Sequence, residues 1–302
     1  MYLGMIGLGK MGGNMVERLA RGGHRVVAYS RTAASRHKAV ERGAEEAVSL
    51  TDLAAKLPVP RVVWLMLPAG NTTDQVLGDL VPLLSPGDTV VDGGNSYYKD
   101  DLRHGALLRE HGMDFVDVGT SGGIWGLTEG YSLMVGGDAE VVERLRPIFE
   151  TLAPAPDKGW GHVGPTGAGH FVKMIHNGIE YGMMQAYAEG FAILERKAEF
   201  GLDLPQIAEV WRHGSVVRSW LLDLITRALA ENPDLSGIAP FVADSGEGRW
   251  TVFEAIDLDV PTPVISLALM ERLRSRDTNS FEDRLLAAMR QQFGGHDVRP
   301  GG

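Results

Sequence analysis

The chain has 302 residues, 29 basic and 39 acidic side chains, a formal net charge of −10 and no cysteine. The length predicts about two domains, the acidic balance disfavours a nucleic-acid-binding protein, and the lack of cysteine excludes disulfides and thiolate-ligated metals. The longest apolar stretches, such as residues 62–67, are too short to span a membrane, and the first residues lack the basic start of a signal peptide. We therefore expect a cytoplasmic protein with neither nucleic-acid nor membrane partners.

The first half of the chain alternates short apolar runs with amphipathic segments. Strands are predicted at residues 3–6, 25–29, 61–67, 89–92 and 113–118. After residues 164–167 the pattern becomes helical, with helices predicted at residues 168–198, 204–212, 219–231, 264–274 and 281–293. The predicted fold class is α/β, with a doubly wound parallel sheet over residues 1–163 and an all-α domain over residues 164–302.

A glycine cluster follows the first predicted strand and opens a helix. Its members are Gly7, Leu8, Gly9, Lys10, Met11 and Gly12. In the Rossmann dinucleotide fingerprint the first glycine makes a tight turn, the second admits the pyrophosphate, and the third allows close helix packing. The alternative is a glycine-rich turn without a ligand, but the flanking strand and helix favour a cofactor site.

The end of the second predicted strand indicates which dinucleotide is bound. Ser30, Arg31 and Thr32 stand where an acidic residue would accept hydrogen bonds from the ribose of NAD. The guanidinium of Arg31 can instead meet the 2′-phosphate of NADP. We therefore expect NADP, with a solvated Arg31 and the use of NAD as the alternatives.

The long predicted helix carries an unusual polar stripe. Six residues at spacings of three and four share one face: Lys173, His176, Asn177, Glu180, Tyr181 and Met184. A core-facing stripe would be apolar. The alternative is a helix face stabilised by ion pairs. Lys173 and Glu180 are too far apart to pair directly, because they stand about 10 Å apart along the axis.

The segment that contains this stripe has a distinctive sequence. Residues 167–182 read GAGHFVKMIHNGIEYG, and further distinctive segments are residues 7–12, 92–96 (DGGNS), 121–123 (SGG) and 290–296 (RQQFGGH). These segments are spread over nearly the whole chain and resemble the 6-phosphogluconate dehydrogenases, in a short form whose helical domain lacks its second half. The resemblance implies oxidation of 6-phosphogluconate at C3, hydride transfer to NADP or NAD, and loss of C1 as carbon dioxide. The product would be ribulose 5-phosphate, as in the pentose phosphate pathway and gluconate utilisation.

The resemblance also assigns roles to individual residues. Lys173 would act as base and then as acid, which requires a pKa below its usual value of about 10.4, and Glu180 would protonate C1 of the enediol. The remaining assignments are Asn177 and His176 to the C3 hydroxyl, Asn95 to nicotinamide and substrate, Ser121, Gly122 and Gly123 to the carboxylate, and Leu67, Pro68 and Ala69 to the cofactor ring. Without the resemblance, residues 121–123 and Asn95 could be ordinary loop residues. No metal is expected, because no ligand motif is present.

The substrate phosphate needs positive donors, and the resemblance assigns Tyr181 and Arg272 to it. Arg290 and His296 keep the spacing of a tail that crosses a dimer in the long enzymes, so they either reach a partner subunit or fold back within one. We expect a homodimer or homotetramer through the helical domain. Residues 244–251, DSGEGRWT, lack the phosphate-binding lysine of the long enzymes. Arg249 could substitute for that lysine, whereas Glu247 would repel a phosphate if it were close.

Two other functions compete with this interpretation. Non-decarboxylating β-hydroxyacid dehydrogenases, of the 3-hydroxyisobutyrate or tartronate-semialdehyde type, share the sheet domain, the Ser-Gly-Gly loop and the lysine, but usually lack the glutamate. Glu180 discriminates against them, because only the decarboxylating enzyme must protonate an enediol. A non-catalytic NADP sensor or scaffold would have lost Lys173 or Glu180, and both are present.

Overall fold

The structure is a computed structural model that describes residues 1–294 and 297–299. The strands are β1 (Tyr2–Ile6), β2 (Arg25–Tyr29), β3 (Glu45–Glu46), β4 (Val62–Leu65), β5 (Thr89–Asp92), β6 (Asp114–Ser121), β7 (Ser132–Gly136) and β8 (Trp160–Gly164). The helices are α1 (Lys10–Arg21), α2 (Ala33–Glu41), α3 (Leu50–Lys56), α4 (Asn71–Leu80), α5 (Tyr98–Glu110), α6 (Gly126–Glu129), α7 (Ala139–Leu152), α8 (Ala168–Arg196), α9 (Leu204–Trp211), α10 (Trp220–Glu231), α11 (Glu247–Asp257), α12 (Pro263–Arg274) and α13 (Phe281–Gly294). The chain divides into two compact units, Met1–Asn177 and Gly178–Gly302.

The first unit contains one eight-stranded sheet with the order β3-β2-β1-β4-β5-β6-β7-β8. Neighbouring strands from β3 to β6 are parallel, as predicted, but β7 runs antiparallel to β6 and β8 is parallel to β7. The sequence did not predict three strands. The two-residue β3 consists of glutamates, β7 has only three apolar residues before its final glycine, and Gly161 and His162 interrupt the apolar pattern of β8.

Helices cover both faces of this sheet, which confirms the doubly wound arrangement. Alternating side chains along β4 show the two layers, because Trp64 packs into one apolar cluster and Val63 and Leu65 into the other. The first cluster takes its helical residues from α1, α2 and α7, and the second from α3, α4 and α5. With both faces buried, the carboxyl ends of the parallel strands are left to carry the loops that can bind ligands.

The second unit is helical, as predicted, and takes in most of α8 together with α9 to α13. Local signals set several helix starts. Asp203 caps α9, Ser219 caps α10, and Pro263 stands in the first turn of α12. Helix α11 was not predicted, since glycines at positions 246 and 248 stand where a helix start is expected to carry capping and apolar residues. The expected domain boundary at residues 163 and 164 stays a prediction; the division between compact units falls inside α8. Among the described residues, no helix is long and apolar enough to cross a membrane.

Candidate active site

The glycine turn after β1 has the geometry of a dinucleotide fingerprint. Gly7 adopts a φ of +95°, a conformation that glycine accepts without strain. A Cβ on Gly12 would lie 2.0 Å from the carbonyl oxygen of Gly7, whereas a Cβ on Gly9 would have no atom within 4 Å. Gly12 therefore lets α1 pack against the turn, and Gly9 leaves open the space that a pyrophosphate would occupy. Gly9 is also the N-cap of α1 and provides no side-chain cap, so the first N–H groups of the helix can bind phosphate oxygens.

Three further loops lie at the same edge of the sheet, because they follow parallel strands. Ser30, Arg31 and Thr32 follow β2, and the guanidinium of Arg36 donates to the carbonyl oxygens of Ser30 and Arg31 at 2.9 and 3.3 Å. Arg31 itself is exposed. The loop after β4 contains Leu67, Pro68 and Ala69, and a Cβ on Gly94, in the loop after β5, would lie 2.6 Å from the carbonyl oxygen of Leu67. The predicted cofactor residues are thus brought to one edge.

The loop that carries Asn95 is folded around the buried carboxylate of Asp92. The amide of Gly94 donates to Asp92 Oδ1 at 2.9 Å, and Ser96 Oγ donates to Asp92 Oδ2 at 2.7 Å. Asn95 lies between these two anchored residues and is exposed. The loop is therefore fixed on both sides of the residue that is expected to meet the nicotinamide and the substrate.

The N-terminus of α8 is fixed on strands β6 and β7. Asp117 in β6 accepts hydrogen bonds from the amides of Gly167 at 2.6 Å and His170 at 2.9 Å. A Cβ on Gly119 would lie only 2.4 Å from Cβ of Lys173. This glycine in the middle of a strand therefore permits a close approach of the helix that carries Lys173.

Within the first unit the structure brings four of the predicted site residues together. Lys173 is 7% exposed and Asn177 is 9% exposed. His176 Nδ1 lies 3.4 Å from Lys173 Nζ and 3.0 Å from Asn177 Oδ1, and its Nε2 lies 3.5 Å from Ser121 Oγ. Ser121 ends β6, and Gly122 and Gly123 follow with φ values of 128° and 53° that suit glycine.

The position of His176 links two proton choices. Its Nδ1 can accept a hydrogen bond from Lys173 Nζ, or carry a proton itself and donate to Asn177 Oδ1. It cannot do both in the neutral imidazole. The tautomer of His176 therefore decides which of these two neighbours its Nδ1 bonds.

Sequence reasoning missed a buried pair beside this cluster. The side chains of His170 and Asp101 are both fully buried, with His170 Nδ1 2.7 Å from Asp101 Oδ2. Burial by itself lowers the pKa of His170, but the charge and hydrogen bond of Asp101 outweigh it and raise the pKa to about 10. His170 belongs to the distinctive segment 167–182, which was the available signal. Asp101 lies 69 residues earlier, and no motif in the sequence indicates it.

The same region contains further buried acids and imidazoles. Two groups of three residues share Asp101: one adds Asp117 and His170, and the other adds Asp92 and His104. In each group the atoms that could bind a metal ion lie within 4.8 Å of one another. The hydrogen bonds described above already use many of these atoms. His104 contacts Asp74 Oδ1 through Nε2 at 2.6 Å.

The second unit contains the residues expected at the substrate phosphate. The guanidinium carbon of Arg272 lies 3.5 Å from the centroid of the Tyr181 ring, and its Nη1 donates to the carbonyl oxygen of Ala243 at 2.9 Å. The structure therefore brings Tyr181 and Arg272 together. The Tyr181 hydroxyl is buried, with no hydrogen-bond partner among the described residues. Glu180 precedes it on α8 and is half-buried.

The other residues considered at the phosphate lie in different surroundings. Arg249, the suggested substitute for the missing lysine, donates instead to Asp244 Oδ2 at 2.5 Å. Glu247 is 1% exposed and accepts from Ser245 Oγ at 2.6 Å. Arg290 is exposed on α13, and His296 lies outside the described residues.

Comparison with known proteins identifies the family of this chain. The sequence profile of the NAD binding domain of 6-phosphogluconate dehydrogenase matches residues 2–164, and that of the 6-phosphogluconate dehydrogenase C-terminal domain matches residues 169–201 and 186–299. An NAD(+)-dependent, decarboxylating 6-phosphogluconate dehydrogenase of Haloferax volcanii is 44% identical over 99% of this chain and 98% of its own length.

Solved structures of both enzyme types share the fold of this chain. The 6-phosphogluconate dehydrogenase of Plasmodium falciparum matches with a TM-score of 0.84 and 27% identity, over 100% of this chain and 67% of that chain. A 3-hydroxyisobutyrate dehydrogenase of Mycobacterium tuberculosis matches with a TM-score of 0.73 and 24% identity, over 90% and 92% of the two chains, which shows a shared fold alone. This chain therefore belongs to the 6-phosphogluconate dehydrogenase family, a family of oxidoreductases that bind a nicotinamide dinucleotide.

Proposed function

We propose that this chain oxidises 6-phosphogluconate at C3 and releases C1 as carbon dioxide, with Lys173 as the base. The observation that carries the proposal is the buried Lys173, next to His176 and Asn177 on a helix fixed to the strand that ends in Ser121. Burial removes the water that would stabilise an ammonium, and this favours the neutral amine that a base requires. Lysine side chains are seldom buried, which supports a chemical role for Lys173.

The first chemical step needs a base and an oriented hydroxyl. A nicotinamide dinucleotide held by the Gly7–Gly12 turn would supply the hydride acceptor for C3, and Lys173 takes the proton of the C3 hydroxyl. Asn177 and His176 hold that hydroxyl, and Asn95 keeps substrate and nicotinamide adjacent. Ser121 and the backbone N–H groups of residues 122 and 123 hold the C1 carboxylate, so that the reacting atoms stay neighbours.

The second step uses the proton that Lys173 has gained. The carboxylate is β to the new ketone, and a protonated Lys173 that donates to the ketone oxygen stabilises the enolate as carbon dioxide leaves. The resulting enediol then needs a proton on the carbon that was C2 of the substrate and becomes C1 of ribulose 5-phosphate. Glu180 supplies it, two turns further along the same helix, about 10 Å from Lys173 along the axis.

The stoichiometry of the reaction distinguishes this function from that of a non-decarboxylating dehydrogenase. Incubation with 6-phosphogluconate and NADP should give reduced cofactor and carbon dioxide in equal amounts. Reduced cofactor without carbon dioxide would instead indicate a non-decarboxylating β-hydroxyacid dehydrogenase. Binding of cofactor without any turnover would indicate the sensor or scaffold.

We propose NADP as the preferred cofactor, with Arg31 as the residue that selects it. The support is an exposed guanidinium directly after β2, on a backbone that Arg36 holds in place. Arg31→Ala should lower kcat/KM with NADP at least tenfold, because a charge-assisted phosphate contact is lost, and should leave kcat/KM with NAD unchanged. Arg25→Ala, at the opposite end of the same strand, is the matched control. A wild-type enzyme that prefers NAD would refute the assignment.

We propose that Tyr181 and Arg272 bind the substrate phosphate. Stacking on the ring fixes the guanidinium plane, which reduces the entropy lost when a phosphate binds. Gluconate should therefore have a far higher KM than 6-phosphogluconate, and Arg272→Ala should remove most of this difference. Arg290 and His296 remain proposed phosphate ligands, from the same subunit or a partner. Equal use of both substrates by the wild type would exclude a working phosphate site.

We propose that the helical unit forms a homodimer or homotetramer. On α11 and α12 five apolar side chains are between 51% and 67% exposed: Phe253, Ile256, Val264, Leu267 and Met270. Exposed apolar side chains in such number, on neighbouring turns of a helix, are typical of a subunit interface. Light scattering coupled to size-exclusion chromatography checks this, and a monomer at micromolar concentration would contradict it.

A further inference from the structure

We propose that the buried pair His170–Asp101 is a positioning device, which fixes the loop carrying Asn95 relative to the helix carrying Lys173. The proposal rests on the proposed function, because it assigns the pair to hydride transfer at those two residues. Neither His170 nor Asp101 is expected to contact substrate or cofactor. They act through the groups that they hold.

The imidazole of His170 connects three parts of the first unit. Nδ1 contacts Asp101 Oδ2, on α5, at 2.7 Å, and Nε2 contacts the carbonyl oxygen of Gly94 at 3.1 Å. His170 stands three residues before Lys173 on α8, and Gly94 directly precedes Asn95. The ring therefore links the Asn95 loop to the first turns of the reactive helix.

Both ring nitrogens must carry a proton for this link. The carbonyl oxygen of Gly94 only accepts, so Nε2 must donate to it, while the carboxylate of Asp101 accepts from Nδ1. The acidic groups that face the imidazole are Asp101, Asp92 and Asp117, and they favour the protonated ring. The doubly protonated form is thus maintained far from water, where a neutral ring could make one of the two donations but not both.

Other hydrogen bonds show what the link joins. The Asn95 loop is tied to its own strand through Asp92, and the start of α8 is tied to β6 through Asp117. Each tie fixes one element to the sheet. His170 bonds the two elements to each other, and a change of their separation would move the base relative to the nicotinamide, a displacement to which hydride transfer is sensitive.

Two substitutions of His170 separate positioning from stability. In His170→Gln the amide nitrogen replaces Nε2 and can still donate to Gly94, whereas in His170→Asn it replaces Nδ1 and reaches only Asp101. The matched control is His104→Asn. His104 stands one turn after Asp101 on α5, and its replacement breaks the buried contact with Asp74 but no hydrogen bond to the Asn95 loop or to α8. Each variant is assayed as full-length enzyme, and its folded fraction at the assay temperature is measured by thermal melting.

We expect kcat to fall roughly 10- to 100-fold in H170N, and KM for 6-phosphogluconate to change little, since the groups that bind the substrate remain. H170Q should retain a kcat within about threefold of the wild type, and H104N should do the same even where it melts earlier. Equal losses of kcat in H170N and H170Q would overturn the proposal. A loss in H104N as large as that in H170N would do so too, because it would trace the effect to general destabilisation.

A second measurement does not depend on the variants folding. In the wild-type protein labelled with ¹⁵N-histidine, NMR should show a proton on both ring nitrogens of His170 at pH 8, with H170Q used to assign the signal. An unprotonated Nε2 would overturn the proposal. If the wild type does not oxidise 6-phosphogluconate, the proposed function fails, and the NMR result still decides whether the link exists.

Discussion

Replacing Gly119 with alanine should slow catalysis without preventing cofactor binding. The new Cβ would lie 2.4 Å from Cβ of Lys173 and 2.6 Å from the carbonyl oxygen of Gly169. Because carbon atoms normally approach to about 3.5 Å, α8 and β6 must separate by roughly 1 Å. Gly119 is not among the glycines with positive φ, so this close contact, and not backbone strain, is the expected cause of the effect.

The separation displaces the base directly. A misplacement of about 1 Å can cost a factor of about 100 in rate, which corresponds to roughly 2.7 kcal/mol of activation free energy. Overpacking should also lower the free energy of unfolding by about 1–3 kcal/mol. The Gly7–Gly12 turn lies on another strand, so the dissociation constant of the cofactor should stay close to that of the wild type.

The assay compares kcat at saturating 6-phosphogluconate and NADP, cofactor affinity by fluorescence titration, and the thermal midpoint. Gly161→Ala in β8 is the matched control, because its Cβ would have no atom within 4 Å. A G119A variant with kcat within threefold of the wild type would refute the reasoning. It would mean that the helix yields without moving the amine, or that Lys173 is not the base.

Three further predictions concern the proposed base and acid, the glycine turn and the buried imidazole. Lys173→Met should abolish hydride transfer and leave cofactor binding intact, whereas Glu180→Gln should slow the protonation that follows decarboxylation, so that reduced cofactor and carbon dioxide form ahead of released ribulose 5-phosphate in a rapid-mixing experiment. Gly9→Ala should fold with wild-type stability and bind the dinucleotide more weakly, because its Cβ enters open space; Gly12→Ala, whose Cβ would meet a backbone oxygen at 2.0 Å, should also lose stability. The free energy of unfolding should fall as the pH rises from about 7.5 to 9.5, since folded His170, whose pKa is raised by Asp101, keeps a proton that the unfolded chain has lost.

Each of these has a result that would contradict it. Near-normal turnover of the lysine or glutamate variant would remove the assigned role. Dinucleotide affinity unchanged by Gly9→Ala would mean that the pyrophosphate does not use the turn. The pH effect is measured by urea denaturation as the difference between wild type and H170Q, and an identical slope in both proteins would show that His170 is not its source.

The periodicity of the sequence determined the main elements of the fold. Apolar runs and amphipathic segments place β2 and β5 at their observed bounds and the starts of α8, α9 and α13 at their observed residues, because burial of one face requires that spacing. The antiparallel β7 was not predicted. Its pairing with β6 depends on the docking of distant segments, and a five-residue strand that includes a glycine carries little signal of its own.

The candidate site likewise has features that the sequence could predict and features that it could not. Lys173, His176 and Asn177 lie within five residues on one helix, so the helical repeat alone places them on one face. The fixing of that helix could not be predicted, because Asp117 lies 50 residues before Gly167 and Asp101 lies 69 residues before His170. The sequence by itself therefore determined the reactive helix and the glycine turn, which are local. Only the tertiary structure decided how closely Gly119 lets Lys173 approach the sheet and which buried acids hold the imidazole of His170, because those contacts exist only when distant segments pack together.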